Sequence, residues 1–213
     1  MEYFLKEVTP PTVEPLLVGG DVKLDVKVHL RLDAPTPEVI ACLNNLIKAA
    51  RRWAENFTSR FFIEQTWDLL LPNGFPNSAS YTLSSNEIRI PRVPLKAVGG
   101  ITHVKYLDTA GVQQTLVAGT DYVVAARGEA AIILPAYGKS WPATRQWIDA
   151  SGNYPVEVRF IAGYGTTGTT VPENYRQAML LHVEAGYDRD PENHDLLMER
   201  AEALLSQDRF SPW

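Results

Sequence analysis

The chain switches hydrophobic period twice along its length, which argues against both an all-helical bundle and an all-β sandwich. The first regular stretch opens at Thr36-Pro37-Glu38. There Thr can cap a helix, Pro suits its first turn and Glu favours its positive end. Val39, Ile40, Leu43, Leu46, Ile47, Ala50, Trp53, Ala54 and Phe57 then recur at three- and four-residue steps, the stripe of a long amphipathic helix. Asn44, Lys48, Arg51, Arg52 and Glu55 form its expected solvated face. Cys42 falls within the apolar pattern and is expected as a packed thiol.

From Phe61 the period changes. Phe61 to Leu71, Glu87 to Ile90, Ile101 to Leu107, Val112 to Val117, Tyr122 to Ala125, Ala131 to Leu134 and Val156 to Ile161 are short β-rich runs punctuated by Gly, Pro and Asn. Asp108 to Gly111 reads as a hairpin turn. The long segment from Pro135 to Pro155, with Tyr137, Trp141 and Trp147, is a candidate contact loop whose tryptophans could equally cap the sheet's core. Helical period returns from Val171 to about Tyr187, and again over Leu196, Leu197, Ala201, Leu204 and Leu205, before a tail from Ser206 to Trp213.

The expected fold class is therefore α+β: a helical bundle of N- and C-terminal helices with an inserted antiparallel β-sheet module. The expected division is 1–60 as the N-terminal helical part, 61–170 as the β module, and 171–213 as C-terminal helices and tail that pack with 1–60. One segment conflicts with itself. Val22, Leu24, Val26, Val28, Leu30 and Leu32 alternate with polar residues, as in a half-buried strand.

Charge narrows the function classes. Lys and Arg number 20 and Asp and Glu 25, so the chain is acidic overall, against a dedicated binder of nucleic acid or anionic membrane. Residues 172–213 hold nine acids and four arginines, so the whole net charge of −5 falls in this last segment. The single cysteine cannot form an internal disulfide. No secretory leader or membrane span is expected.

Chemical motifs are sparse. Gly163-Tyr164-Gly165-Thr166-Thr167-Gly168 matches a dinucleotide fingerprint literally, but its third glycine precedes no helix directly and no parallel strand follows. A flexible strand-to-helix connector is the better reading. Asp188 to Glu199 echoes a calcium loop but has Asn193 where the sharp turn wants glycine, so a polar helix-helix turn capped by Asn193 is expected. His29, His103, His182 and His194 lack zinc-ligand spacing, and the carboxylates nominate no acid/base pair. No cofactor, no metal and no enzymatic activity are expected. Arg51, Arg52, Trp53 and Arg60 could touch a nucleic-acid backbone but read better as a solvated helix face.

The order of several motifs is informative where each alone is weak. Val8-Thr9-Pro10-Pro11, His29-Leu30-Arg31-Leu32-Asp33, the block from Ala49 through Arg51-Arg52-Trp53-Ala54-Glu55-Asn56-Phe57-Thr58-Ser59-Arg60, and Gln65-Thr66-Trp67-Asp68-Leu69 come first. Ile90-Pro91-Arg92-Val93-Pro94-Leu95, Pro135 to Pro142, Phe160 to Gly165 and Val171 to Leu181 follow. Together they resemble the head-tail connector (adaptor, head completion) family of long-tailed bacteriophages and gene transfer agents, over Val8 to about Tyr187.

The resemblance implies a non-enzymatic virion protein at the head-tail interface, made in the bacterial host cytoplasm. It implies a dodecameric ring of copies of this chain, bound to the portal protein and to the next neck ring (a stopper or tail terminator). Genomic DNA would pass through without sequence-specific binding, and no membrane would be involved. By position, Arg209, Phe210, Pro212 and Trp213 become candidate portal-docking residues. Glu184, Asp188, Glu192 and Glu199 become candidate channel-facing acids, since a repulsive wall lets a polyanion slide. The resemblance also makes Val22 to Leu32 a short helix. The alternative is a small-molecule or carbohydrate-binding β module that uses Trp141 and Trp147 as stacking surfaces.

Overall fold

The structure, a computed structural model, describes residues 2–20, 25–76, 86–188 and 190–211. It is α+β, with antiparallel sheets and helices. It divides into two units: Met1–Pro10 with Gln65–Ala162, and Pro11–Glu64 with Gly163–Ser211.

The first unit holds the strands. β1 (Phe4–Thr9), β2 (Gln65–Leu71), β8 (Val156–Ala162), β4 (Ile101–Leu107) and β5 (Gln113–Leu116) form one sheet in that order. β3 (Ile88–Arg89), β7 (Ala130–Pro135) and β6 (Tyr122–Arg127) form a second. β8 is central to the first sheet because Val156, Val158, Phe160 and Ala162 are all fully buried, with the intervening residues half-buried. That alternation is the signature of a strand with one face against a core. The turn from β4 to β5 is held by Asp108, whose Oδ1 accepts from the Ala110 and Val112 amides while Gly111 takes φ +84°. β1 corrects the expected helical character of 1–60. Phe4 to Thr9 shows little alternation of burial, and only its pairing with Thr66 to Leu70 makes it a strand.

The second unit holds α1 (Val26–His29), α2 (Pro37–Thr58), α3 (Glu173–Tyr187) and α4 (Pro191–Ser206). Thr36 caps α2 as expected, its hydroxyl accepting from the Val39 amide. Leu43, Ile47, Ala50 and Ala54 of α2 share a buried core with Tyr175, Ala178, Met179 and Val183 of α3 and with Ala201 and Leu205 of α4. Burying such a set contributes roughly 1.5–3 kcal/mol for each large side chain. Phe62 and Ile63 belong to this core, so the β-rich run expected from Phe61 becomes a strand only at Gln65. Among the described residues no helix is long and apolar enough to cross a membrane.

Of the segment left open between strand and helix, 22–24 lie outside the described residues, and 26–29 are helical as the resemblance implied, because Asp25 caps the turn by accepting from the Lys27 amide, and Val26 and Leu30 reach the core at helical spacing. Three further expectations are corrected. Cys42 is exposed, pointing away from the seam that buries Leu43. α4 is capped by Asp190, which accepts from the Glu192 amide, and Asn193 lies inside the helix and donates to Asp188. Arg51 and Glu55 are buried rather than solvated, for reasons given below.

Candidate functional site

The C-terminal end of α2 is where sequence-distant residues of the helical unit converge. Thr58 closes the helix by donating to the Ala54 carbonyl, and Ser59 ends it in the left-handed conformation at φ 57°. The turn carries Arg60 back into the unit, where it is only 5% exposed. Its Nε donates to the main-chain carbonyl of Asp208 at 2.8 Å, and its Nη1 to the Tyr164 hydroxyl at 3.3 Å. Tyr164 in turn donates to the Tyr175 hydroxyl, whose pKa is pushed up by burial and by that bond.

The segment after α4 closes on the same place. Asn174 Nδ2 donates to Asp208 Oδ2 at 2.6 Å, and the Phe210 amide donates to the Thr58 carbonyl at 2.9 Å. The Arg209 guanidinium lies over the Phe57 ring, 5.7 Å from its centre. The Thr58 carbonyl is one of the acceptors a helix end leaves without an internal partner, so the tail satisfies it. Phe210 is half-buried and Arg209 exposed, while Pro212 and Trp213 lie outside the described residues.

A charged network lies a turn earlier on α2. Arg51 donates through Nε to Glu14 (2.7 Å) and through Nη1 to Glu55 (2.9 Å), and Glu55 Oε1 accepts from the Phe62 amide (2.9 Å). Burial opposes the Arg51 charge, but Glu14 and Glu55 outweigh it and raise its pKa. Arg51 and Arg60 are thus both spent on internal bonds, which removes two of the basic groups considered for a nucleic-acid backbone.

The four candidate acids are not alike. Glu192 and Glu199 are exposed on α4, and Asp188 is exposed at the α3–α4 turn, where it accepts from the Asp190 amide. Glu184 is half-buried, its Oε2 lying 2.8 Å from His29 Nε2. That pair lines an open groove of about 1090 Å³ with Arg31, Cys42, Tyr187 and Asp188.

In the sheet unit the loop aromatics also separate. Trp141 stacks on Phe75 with ring centres 4.6 Å apart and planes 2° apart, and its Nε1 donates to the Asn86 carbonyl. It packs the sheet unit and lines a hollow of about 380 Å³. Trp147 is 76% exposed, and Tyr137 is fully exposed at a turn in which Gly138 takes φ +73°. Asp68, His103 and Glu157 bring three possible metal-ligand atoms within 4.8 Å of one another on adjacent strands. Their bonds close without an ion: Arg159 grips both Asp68 oxygens at 2.7 and 2.9 Å, and His103 Nε2 lies 2.9 Å from Glu157 Oε1.

The glycine motif has a packing role. A Cβ on Gly163, at φ +142°, would lie 2.4 Å from the Glu64 nitrogen and 2.5 Å from the Ile63 carbonyl carbon. Gly168 opens a 3₁₀ turn (Gly168–Thr170), and α3 begins only at Glu173. The connector expected to be flexible is therefore a close backbone crossing.

Sequence reasoning missed Asn174 and Asp208, and it misassigned Arg60. The available signal was the block ending Thr58-Ser59-Arg60, whose arginine lies beyond the helical stripe and so needs its own explanation.

No protein-family model and no curated protein matches the chain. Solved structures do share its fold. A chain in the neck of an empty GTA particle, computed with C6 symmetry, superposes with a TM-score of 0.63 at 20% identity, covering 93% of this chain and 94% of that one. A chain in the virion of a native gene transfer agent (GTA) particle gives 0.60 at 22% identity, covering 92% and 93%. A chain in the neck of a native GTA particle, computed with C12 symmetry, gives 0.52 at 21% identity, covering 93% and 94%.

Proposed function

We propose that this chain is a structural virion protein, a head-tail connector adaptor that forms a dodecameric ring between the portal and the neck or tail. The observation that carries the reading is a fold likeness to neck and virion chains of GTA particles that spans more than nine-tenths of both partners. The colinear motifs support it independently, and the buried Arg51–Glu55 pair and the Arg60 turn give the central motif block a structural reason to exist.

In this reading the helical unit is a bundle into which the sheet module is inserted, and the ring pairs one face of a subunit with a different face of the next. The tail from Ser206 docks to the portal, with Arg209, Phe210, Pro212 and Trp213 as its contacts. Glu184, Asp188, Glu192 and Glu199 line the DNA conduit, and the exposed Tyr137 and Trp147 serve as contact-loop anchors toward the next neck ring. The protein acts by assembly, without catalysis.

The test is electron microscopy of the chain mixed with the portal ring of the same particle, beside a version truncated after Leu205. A stacked ring in portal symmetry, lost on truncation, is the expected result. Absence of an added ring from the full-length chain would overturn the reading. A ring that places the four acids on its outer wall would overturn their conduit role alone.

A further inference from the structure

We infer that Arg60 and Asn174 are positioning residues for the C-terminal tail, clamping Asp208 so that the segment docking to the portal leaves the subunit from one fixed place. The inference rests on the adaptor reading above and assigns a mechanism to its least explained part.

The argument begins with the cost of an unrestrained tail. A short peptide that orders only on binding loses about 1–2 kcal/mol of conformational freedom per residue, which weakens each docking event. Here three of the residues after α4, Asp208, Arg209 and Phe210, are already tied down. Asp208 is held twice, by Arg60 on its carbonyl and by Asn174 on its carboxylate, and Phe210 is held once through its amide. Arg209 lies against Phe57. The partners come from three places in the chain: the end of α2, the turn after it, and the first turn of α3. A merely trailing tail would not engage all three.

The chemistry of each partner also fits a clamp. Arg60 is buried and presents several donors from one rigid plane, so it can serve the Asp208 carbonyl and the Tyr164 hydroxyl together, which a lysine cannot do in the same geometry. Asn174 sits in the first turn of α3, where its amide reaches Asp208 without disturbing the helix. Along the tail, burial falls from half-buried Phe210 to exposed Ser211.

The test uses the full-length chain and two substitutions. Asn174→Asp sets a carboxylate against Asp208, while a new acid in the first turn of a helix is tolerated by the helix itself. Combining Asn174→Asp with Asp208→Asn reverses donor and acceptor and restores the bond. Two quantities are read: hydrogen exchange at the Phe210 amide in the free chain, and affinity for the portal ring.

For Asn174→Asp alone, exchange at Phe210 should speed up and portal affinity fall, each by about tenfold, as for loss of a hydrogen bond to a charged group. The reversed pair should return both to within about threefold of the original chain. Faster exchange with unchanged or tighter portal binding would overturn the inference, the tighter case because the clamp would then be holding the tail back. Unchanged exchange in Asn174→Asp would also overturn it, by removing the clamp. If the unsubstituted chain fails to stack on the portal while the exchange results hold, the docking role is overturned and the clamp is reduced to a packing feature.

Discussion

Glu55 divides its carboxylate between its own helix and the chain that follows: Oε2 accepts from Arg51 Nη1 and Oε1 from the Phe62 amide, each at 2.9 Å. The residue therefore couples the body of α2 to the segment that leaves it. Removing it takes this acceptor from the buried Phe62 amide and leaves Arg51 to Glu14. Glu55→Ala is expected to cost about 3 kcal/mol. Glu14→Ala leaves Arg51 paired with Glu55, and Glu14 is partly exposed, so about 1 kcal/mol is expected. Urea unfolding followed by tryptophan fluorescence checks both, and equal costs would contradict the coupling.

Gly163 and Gly138 both take positive φ but differ in what a side chain would meet. At Gly163 a methyl group would strike the Ile63–Glu64 backbone, so Gly163→Ala is expected to cost more than about 3 kcal/mol. At Gly138 nothing lies within 4 Å, so Gly138→Ala should cost only the conformational term of about 1 kcal/mol. Midpoints of thermal unfolding should rank the two variants in that order.

The loop tryptophans offer a similar contrast. Trp141→Ala empties a stacked, hydrogen-bonded position and is expected to destabilise by about 3 kcal/mol. Trp147→Ala, at an exposed site, should stay within about 0.5 kcal/mol of the parent. The proposed contact role of Trp147 then predicts a loss in assembly with the next neck ring at unchanged stability, measured by denaturation and by co-sedimentation with that ring.

His182 introduces a pH dependence. It packs against Trp53 with ring centres 4.7 Å apart, and burial first, then the charge of His194, pulls its pKa below the ordinary value. In the unfolded chain the same group takes up a proton near pH 6.5. As pH falls from that value toward the folded-state pKa, the unfolded state binds the proton first and stability is lost. Above pH 7 the effect is absent. Urea midpoints between pH 7.5 and 5 should fall for the parent chain, and His182→Gln should flatten that slope.

The long helix was readable because burial and period agree along Leu43, Ile47, Ala50 and Ala54. Arg51 and Glu55 were misread because polar residues one turn apart look the same whether water or Glu14 and the Phe62 amide satisfy them. Alternation over Val22 to Leu32 read as a strand where the resemblance implied a helix, and 26–29 is helical. The alternation reported a pattern, while the Asp25 cap and the spacing of Val26 and Leu30 decided the conformation of 26–29. Strands β2 to β8 were readable as β-rich runs between turn residues. β1 was not, since an edge strand draws its identity from its neighbour.

The sequence by itself determined the periods: which segments bury a helical stripe, which form strands, and where Gly, Pro and Asp punctuate them. Those are local properties, encoded by residues within a few positions of one another. Only the tertiary structure decided that Arg60, Asn174, Tyr164 and Asp208 meet, because their bonds span 34 to 148 positions of sequence and leave no local pattern. The orientation of the tail is such a long-range property, since a hydrogen bond to a main-chain carbonyl constrains no side chain at the accepting residue.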